Sequence, residues 1–277
     1  MSSLSLPAKA ARLPLPRWLP LLLVLIAAVV LRHFIVPNSD VSWDLTVADK
    51  MLDGQRLYRD IIEVNPPATI YLYMLPAILG RLSGLPAEPF VDALVILAAG
   101  LSLWLSGRIL GRARTMQGID TAELAAVAAA VLLIIPAHTF GEREHIALIA
   151  FLPVLAVALL RADGERPGLW MAVAAGLCGG IIAIIKPFFA VPIVCTAVTA
   201  ACFARSWRPI MALENWLAGG MLAAYSIAVA AAFPQFFADV VPLVLAVYVP
   251  AKLPLARMLV QYATPLWLTA WAMIALL

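Results

Sequence analysis

Residues 68–82 read ATIYLYMLPAILGRL, an apolar run that holds Pro76 inside and closes on Arg81. A helix crossing a bilayer needs about 20 mainly apolar residues, so this run is short for a span. It can also be an interfacial or re-entrant helix, and the choice inverts the side of every later loop. Composition puts the question in a membrane. The 277 residues are 64% hydrophobic and 13% charged, with a mean hydropathy of +0.98, against roughly 45–50% apolar and about 25% charged in an ordinary soluble domain. A water-soluble globular protein is excluded. The formal charge is +3, and the basic residues stand in short clusters between apolar runs, which is no footprint for nucleic acid. Cys178, Cys195 and Cys202 fall inside apolar runs and read as small core residues, neither a disulfide framework nor a metal site.

Working outward from 68–82, the runs at 18–36, 90–107, 121–139, 146–161, 168–185, 187–204 and 210–232 read as spans. The run from Thr264 to Leu277 is too short to cross. The expected fold is all-α, a polytopic transmembrane helical bundle of about eight spans with the last incomplete. Residues 1–277 form a single transmembrane domain, read as the N-terminal part of a longer protein. Lys9, Arg12 and Arg17 precede the first run, and no small-residue cleavage site with a polar start follows it, so it reads as an uncleaved span with a cytoplasmic N-terminus. The positive-inside rule then decides the opening question. If 68–82 does not cross, Arg108, Arg112, Arg114, Arg161, Arg166, Arg205 and Arg208 all join the N-terminal cluster in the cytoplasm; if it crosses, all seven land outside. The reading is therefore an interfacial helix, and 37–86 becomes an outer-face loop with interfacial helices. Pro234, Pro242, Pro250 and Pro254 mark a further outer segment.

With that topology the polar residues without an anchoring role collect outside. Residues 37–66 hold Asp40, Asp44, Asp49, Asp53, Asp60 and Glu63. Trp43, Leu45, Val47, Met51 and Leu52 recur at roughly helical spacing, which predicts a short amphipathic helix up to Gly54. Asp40 and Asp44, four apart, then share a face, where a carboxylate pair can take a proton from a hydroxyl or hold a cation; ordinary solvated acids are the plainer alternative. The turn 138–145 places His138, Glu142 and His145 at spacings of 4 and 3, which suits a divalent metal, while pairing of its Glu and Arg residues explains the same turn without one. Lys186 precedes Pro187, so a helix breaks beside a charge that pairs with a phosphate or snorkels to lipid headgroups. Gly176 and Gly180 make a G-x-x-x-G packing face.

These residues carry a resemblance. Asp40, Ala48, Gly54, Tyr58-Arg59-Asp60, Glu63 and Asn65-Pro66-Pro67 after a first span, then Arg108 and Arg112, the turn Gly141 to His145, and Lys186-Pro187, together resemble the polytopic glycosyltransferases of the GT-C fold. More narrowly, the chain is similar to the bacterial protein O-mannosyltransferase-like family (glycosyltransferase family 39 type), with the rhizobial lipopolysaccharide-core and lipid A aminoarabinose transferases. The likeness spans about residues 18 to 205.

The resemblance implies transfer of a sugar from a polyprenyl-phosphate donor to a lipid, glycan or protein acceptor at the outer face of the bacterial inner membrane. It implies Asp40 as base, with residues near Pro66-Pro67 and in the second outer loop lining the cavity. The chemistry of the residues themselves holds Asp44 in reserve and sets Arg59, Arg143 and Lys186 against the phosphate, so that the substrate-binding candidates are Arg59, Asp60, Glu63, Arg143 and Lys186. The resemblance fixes no cofactor; some members hold a divalent metal, for which Glu142 and His145 are the candidates here. Many members have Asp-Glu where this chain has Asp40-Val41, and the aminoarabinose transferases have Glu-Lys where it has Val64-Asn65, so aminoarabinose specificity is not expected. The rivals are a lipid-linked sugar flippase or transporter, expected to carry polar residues near the midplane, and a non-catalytic or truncated membrane subunit.

Overall fold

The computed structural model describes residues 16–251 together with Pro254, Arg257 and Val260. Lys9, Arg12 and the run from Thr264 lie outside the described residues. The described chain is helical, with no strand beyond an isolated bridge between Leu57 and Ile61. The helices are α1 (Leu19–Phe34), α2 (Ser39–Leu52), α3 (Pro67–Ser83), α4 (Glu88–Leu110), α5 (Thr121–Leu133), α6 (Arg143–Ala162), α7 (Leu169–Ile185), α8 (Ala190–Phe203), α9 (Leu213–Ala232) and α10 (Val241–Ala251).

Local chemistry sets their ends. Asn38 caps α2 by accepting from the Asp40 N–H at 2.8 Å, and Asp120 caps α5 by accepting from the Ala122 N–H at 2.9 Å. The apolar run 121–139 does not stay helical to its end. α5 stops at Leu133, and Pro136 leads into a 3₁₀ turn, Ala137–Thr139. α7 stops at Ile185 because Pro187 cannot donate the next backbone bond, which leaves Lys186 extended between two helices.

Among the described residues three helices, α4, α6 and α9, are long and apolar enough to cross a membrane; α1 with α2 makes a fourth candidate if that pair, bent by 76°, counts as one span. α5, α7 and α8 are apolar but shorter. α3 runs through Pro76 for 17 residues and ends on Gly84 at φ 70°. The segment with Pro234 and Pro242 is helical too: a π-helical stretch, Phe236–Val240, runs into α10.

The chain divides into two compact units, one of Met1–Gln55 with Asn65–Ile227 and the other of Arg56–Val64 with Ala228–Leu277. In the first, α1 ends where α4 begins: Arg32, in the last turn of α1, donates to Asp92 in the first turns of α4 at 3.1 Å and to the Ala137 carbonyl at 3.0 Å, and lies over the Phe140 ring. The intervening α2 and α3 therefore leave from and return to one end of this unit. α2 and α3 pack together, tied at their far ends by Arg81, which donates to Asp49 and Asp53. At the opposite end Leu105 and Ile109 of α4, Val157 and Leu160 of α6, and Met171 and Ala175 of α7 form one buried cluster. Arg161 there makes a bidentate pair with Glu214, at 2.7 and 2.9 Å. Arg108, Arg112, Arg114, Arg166, Arg205 and Arg208 flank the helix ends on this side.

α7 and α9 meet through glycines. A Cβ on Gly176 would lie 2.9 Å from the Glu214 carbonyl oxygen, and one on Gly180 would overlap Met221. Backbone cannot yield as a side-chain tip does. Gly176→Ala is therefore expected to lower the thermal unfolding midpoint in detergent, whereas Gly219→Ala, with open space around it, is neutral or stabilising through helix propensity of up to ~1 kcal/mol. Equal midpoints for the two variants would contradict the close packing. The cysteines are free, but Cys195 and Cys202 are exposed on the apolar surface of α8 and not in the core as expected; only Cys178 is half-buried.

Candidate functional site

The end of the first unit that holds the α1–α4 latch also gathers charge. Asp40 and Asp44 lie one turn apart at the start of α2, and both reach Arg143, the first residue of α6: Nη2 donates to Asp40 at 3.0 Å and Nη1 to Asp44 at 3.2 Å. Arg143 Nε faces Glu144 at 3.5 Å, and Glu144 accepts from Lys186 at the broken end of α7. Lys186 also lies near the Phe188 and Phe189 rings. Three segments about 40 to 100 residues apart thus form one chain of alternating charges, Asp40/Asp44–Arg143–Glu144–Lys186.

Burial differs along this chain. The side chains of Asp44 and Arg143 are 1% and 12% exposed, whereas that of Asp40 is 52% exposed. Asp44 is a buried ion-pair partner, and Asp40 keeps an open side. Glu142 adds a fourth carboxylate at the N-cap of α6. Burial, then the charges of Glu144 and Asp40, push its carboxyl above the ordinary glutamate range. A carboxyl that binds its proton more tightly when folded stabilises the fold at low pH and loses that contribution as pH rises through its folded pKa. Glu142→Gln is accordingly expected to raise thermal stability near pH ~7.5, with the gain vanishing below about pH 4, where glutamate is protonated in both states. A gain that persisted at low pH would place its cause elsewhere.

The turn carrying Glu142 is rigidly held. Gly141 has φ 81°, and a Cβ there would lie 3.0 Å from Val91, so only glycine fits. Its carbonyl accepts from the buried Tyr73 hydroxyl at 2.8 Å, which docks α3 on the turn. α3 is pinned further by Thr69, which donates to the Ile185 carbonyl, and by the Ala68 N–H, which donates to the Tyr225 hydroxyl.

His145 does not fit the metal-ligand reading. Its Nδ1 accepts from the Gly141 N–H at 3.0 Å, so the 2.7 Å contact of Nε2 with the Leu132 carbonyl is a donated bond. Both ring nitrogens bracket backbone, which leaves no lone pair for a cation. Among the described residues no group of three or more His, Cys, Asp and Glu side chains is placed to hold a metal.

Arg59, Asp60 and Glu63 belong to the second unit. There Leu57–Ile61 closes a tight loop with Tyr58 at φ 65°, its ring against Phe233 and Phe236. Asp60 accepts from the Arg56 backbone and side chain, which holds its carboxyl below the ordinary range. With the Gln235 amide turned to accept, Arg59 donates to its oxygen at 3.0 and 3.2 Å. Glu63 is buried.

Three residues that sequence reading left out of the site prove important to it: Glu144, which holds Lys186; Tyr73, which anchors the turn; and Arg32, which closes the adjoining latch. Two of them carry a signal: Arg32 is an arginine within an apolar run, and Glu144 adjoins Arg143 in the charged turn. Comparison of the chain with protein-family models, curated proteins and solved structures finds no match.

Proposed function

We propose that the chain is a membrane glycosyltransferase of the GT-C kind. It moves a sugar from a polyprenyl-phosphate donor to an envelope lipid, glycan or protein acceptor at the outer face of a bacterial inner membrane, with its N-terminus in the cytoplasm. The observation that carries the reading is the convergence of Asp40, Asp44, Arg143, Glu144 and Lys186 from three distant segments at one end of a helical unit, with arginine-rich loops at the other. The same asymmetry supports placing the carboxylate end outside, with α2 and α3 along the interface and α1 and α4 to α9 as spans.

A glycosyl phosphate already carries a good leaving group, so the protein has two tasks. One is to take the proton from an acceptor hydroxyl, for which the half-exposed Asp40 is placed. The other is to offset charge on the departing phosphate. Arg143 and Lys186 suit that task but face carboxylates, so a donor phosphate must displace Glu144 or Asp40 from them. The apolar cleft of about 150 Å³ along Ala183, Val194, Ala197, Ala218 and Leu222 begins near the Lys186 end and offers a path for a prenyl chain. No metal enters the scheme.

The pairing of each cation with a carboxylate favours a second reading, a non-catalytic membrane subunit in which this network only fastens helices. Envelope glycans and lipids of a deletion strain separate the two. The transferase reading expects one sugar to be missing and its polyprenyl-phosphate donor to accumulate. An unchanged profile counts for the subunit.

A further inference from the structure

At the end opposite the carboxylates, Arg114 and Arg161 are each paired with an acid, Glu165 and Glu214. The side chains of Arg108, Arg112, Arg166, Arg205 and Arg208 have no such partner among the described residues. Two of these five, Arg108 and Arg112, stand at the end of α4, and the loop that carries a third, Arg166, passes beside Arg112. Arg108 and Arg112 are four apart at the end of α4, and a Cβ on Gly168 would lie 3.3 Å from Arg112 Nη1, so the guanidinium rests on the backbone two residues after Arg166. Next to them the Trp104 and Trp170 rings touch across α4 and α7, with centroids 6.1 Å apart.

The surface leading to this corner is apolar. Leu97, Leu101 and Trp104 recur at helical spacing with Arg108 on one exposed face of α4, and Trp170, Leu177 and Ile181 do the same on α7. An exposed apolar stripe that ends in a tryptophan pair and unpaired guanidiniums has the polarity of a lipid, with tails along the stripe and an anionic head at the arginines. We infer that this corner of α4 and α7 binds an anionic phospholipid, its phosphate held by Arg108 and Arg112 and its glycerol region against Trp104 and Trp170. Arginine suits the head because its planar fork meets a phosphate through two hydrogen bonds. A free phosphate would leave the stripe and the indole pair without a role. The inference is independent of the proposed glycosyl transfer.

The test uses the full chain in neutral detergent, titrated with phosphatidylglycerol, with phosphatidylcholine of the same acyl chains, and with inorganic phosphate, and read by native mass spectrometry and thermal unfolding. Phosphatidylglycerol is expected to bind and raise the midpoint, and the other two probes to do neither. Arg108→Gln with Arg112→Gln should weaken phosphatidylglycerol binding roughly 30-fold, taking about 1 kcal/mol per basic residue near a lipid surface. The pair Arg205→Gln with Arg208→Gln should leave it within about threefold, a difference under ~0.7 kcal/mol. Should the first pair fail to fold, Arg108→Lys with Arg112→Lys keeps the charge and should bind phosphatidylglycerol with intermediate affinity. Equal binding of the two lipids, a full effect from phosphate alone, or undiminished binding by the Arg108/Arg112 variants overturns the inference.

Discussion

Arg143→Met is expected to cost about 3–5 kcal/mol of stability, because it removes the cation between two carboxylates and leaves Asp44 charged and buried without it. The measurement is the unfolding midpoint in detergent, and its control is a second substitution. Replacing Asp44 by leucine in the same chain removes that buried charge, so the double variant should recover most of the loss. A deficit below about 1 kcal/mol would put the pair among solvent-screened ion pairs and deprive the site of its rigid centre. No recovery in the double variant would show that Arg143 acts through something other than Asp44.

Asp40→Asn has the opposite profile. Its carboxylate is half open, and an exposed ion pair is worth about 0–1 kcal/mol, so the variant should fold with a midpoint close to wild type. If Asp40 takes the acceptor proton, turnover should nevertheless fall about 10²–10⁴-fold, the usual loss of a general base. Asp44→Asn should lower stability and turnover together. This separation distinguishes a reacting carboxylate from a fastening one, although the two stand one helical turn apart and share one arginine.

What could be read from the sequence was local. The amphipathic pattern from Trp43 to Leu52 is α2, the Lys186-Pro187 dipeptide is a helix break, and Gly176 and Gly180 are a packing face. Each depends on neighbours within a few turns. Helix lengths were legible only roughly, since the apolar run 121–139 gives no warning that Ala137 turns left-handed after Pro136. The site itself was half legible. Asp40, Asp44, Arg143 and Lys186 were nominated for their chemistry, but their partnership spans 99 and 103 positions for the aspartates and Arg143, and no pattern in one sequence encodes it. His145 was misread for the same reason, because a histidine held by two backbone groups and one awaiting a metal have the same spacing to Glu142.

The most direct test of the central claim is transfer of label from a polyprenyl-phosphate sugar by the reconstituted full chain in the presence of envelope acceptor, with Asp40→Asn run at matched folded protein. The account predicts that wild type moves the label to the acceptor fraction and that the variant, equally folded, moves at most about 1% as much, the lower bound of a lost general base. Near-wild-type turnover by Asp40→Asn would contradict the assignment of the base. No transfer by wild type with any envelope acceptor would contradict the transferase reading itself.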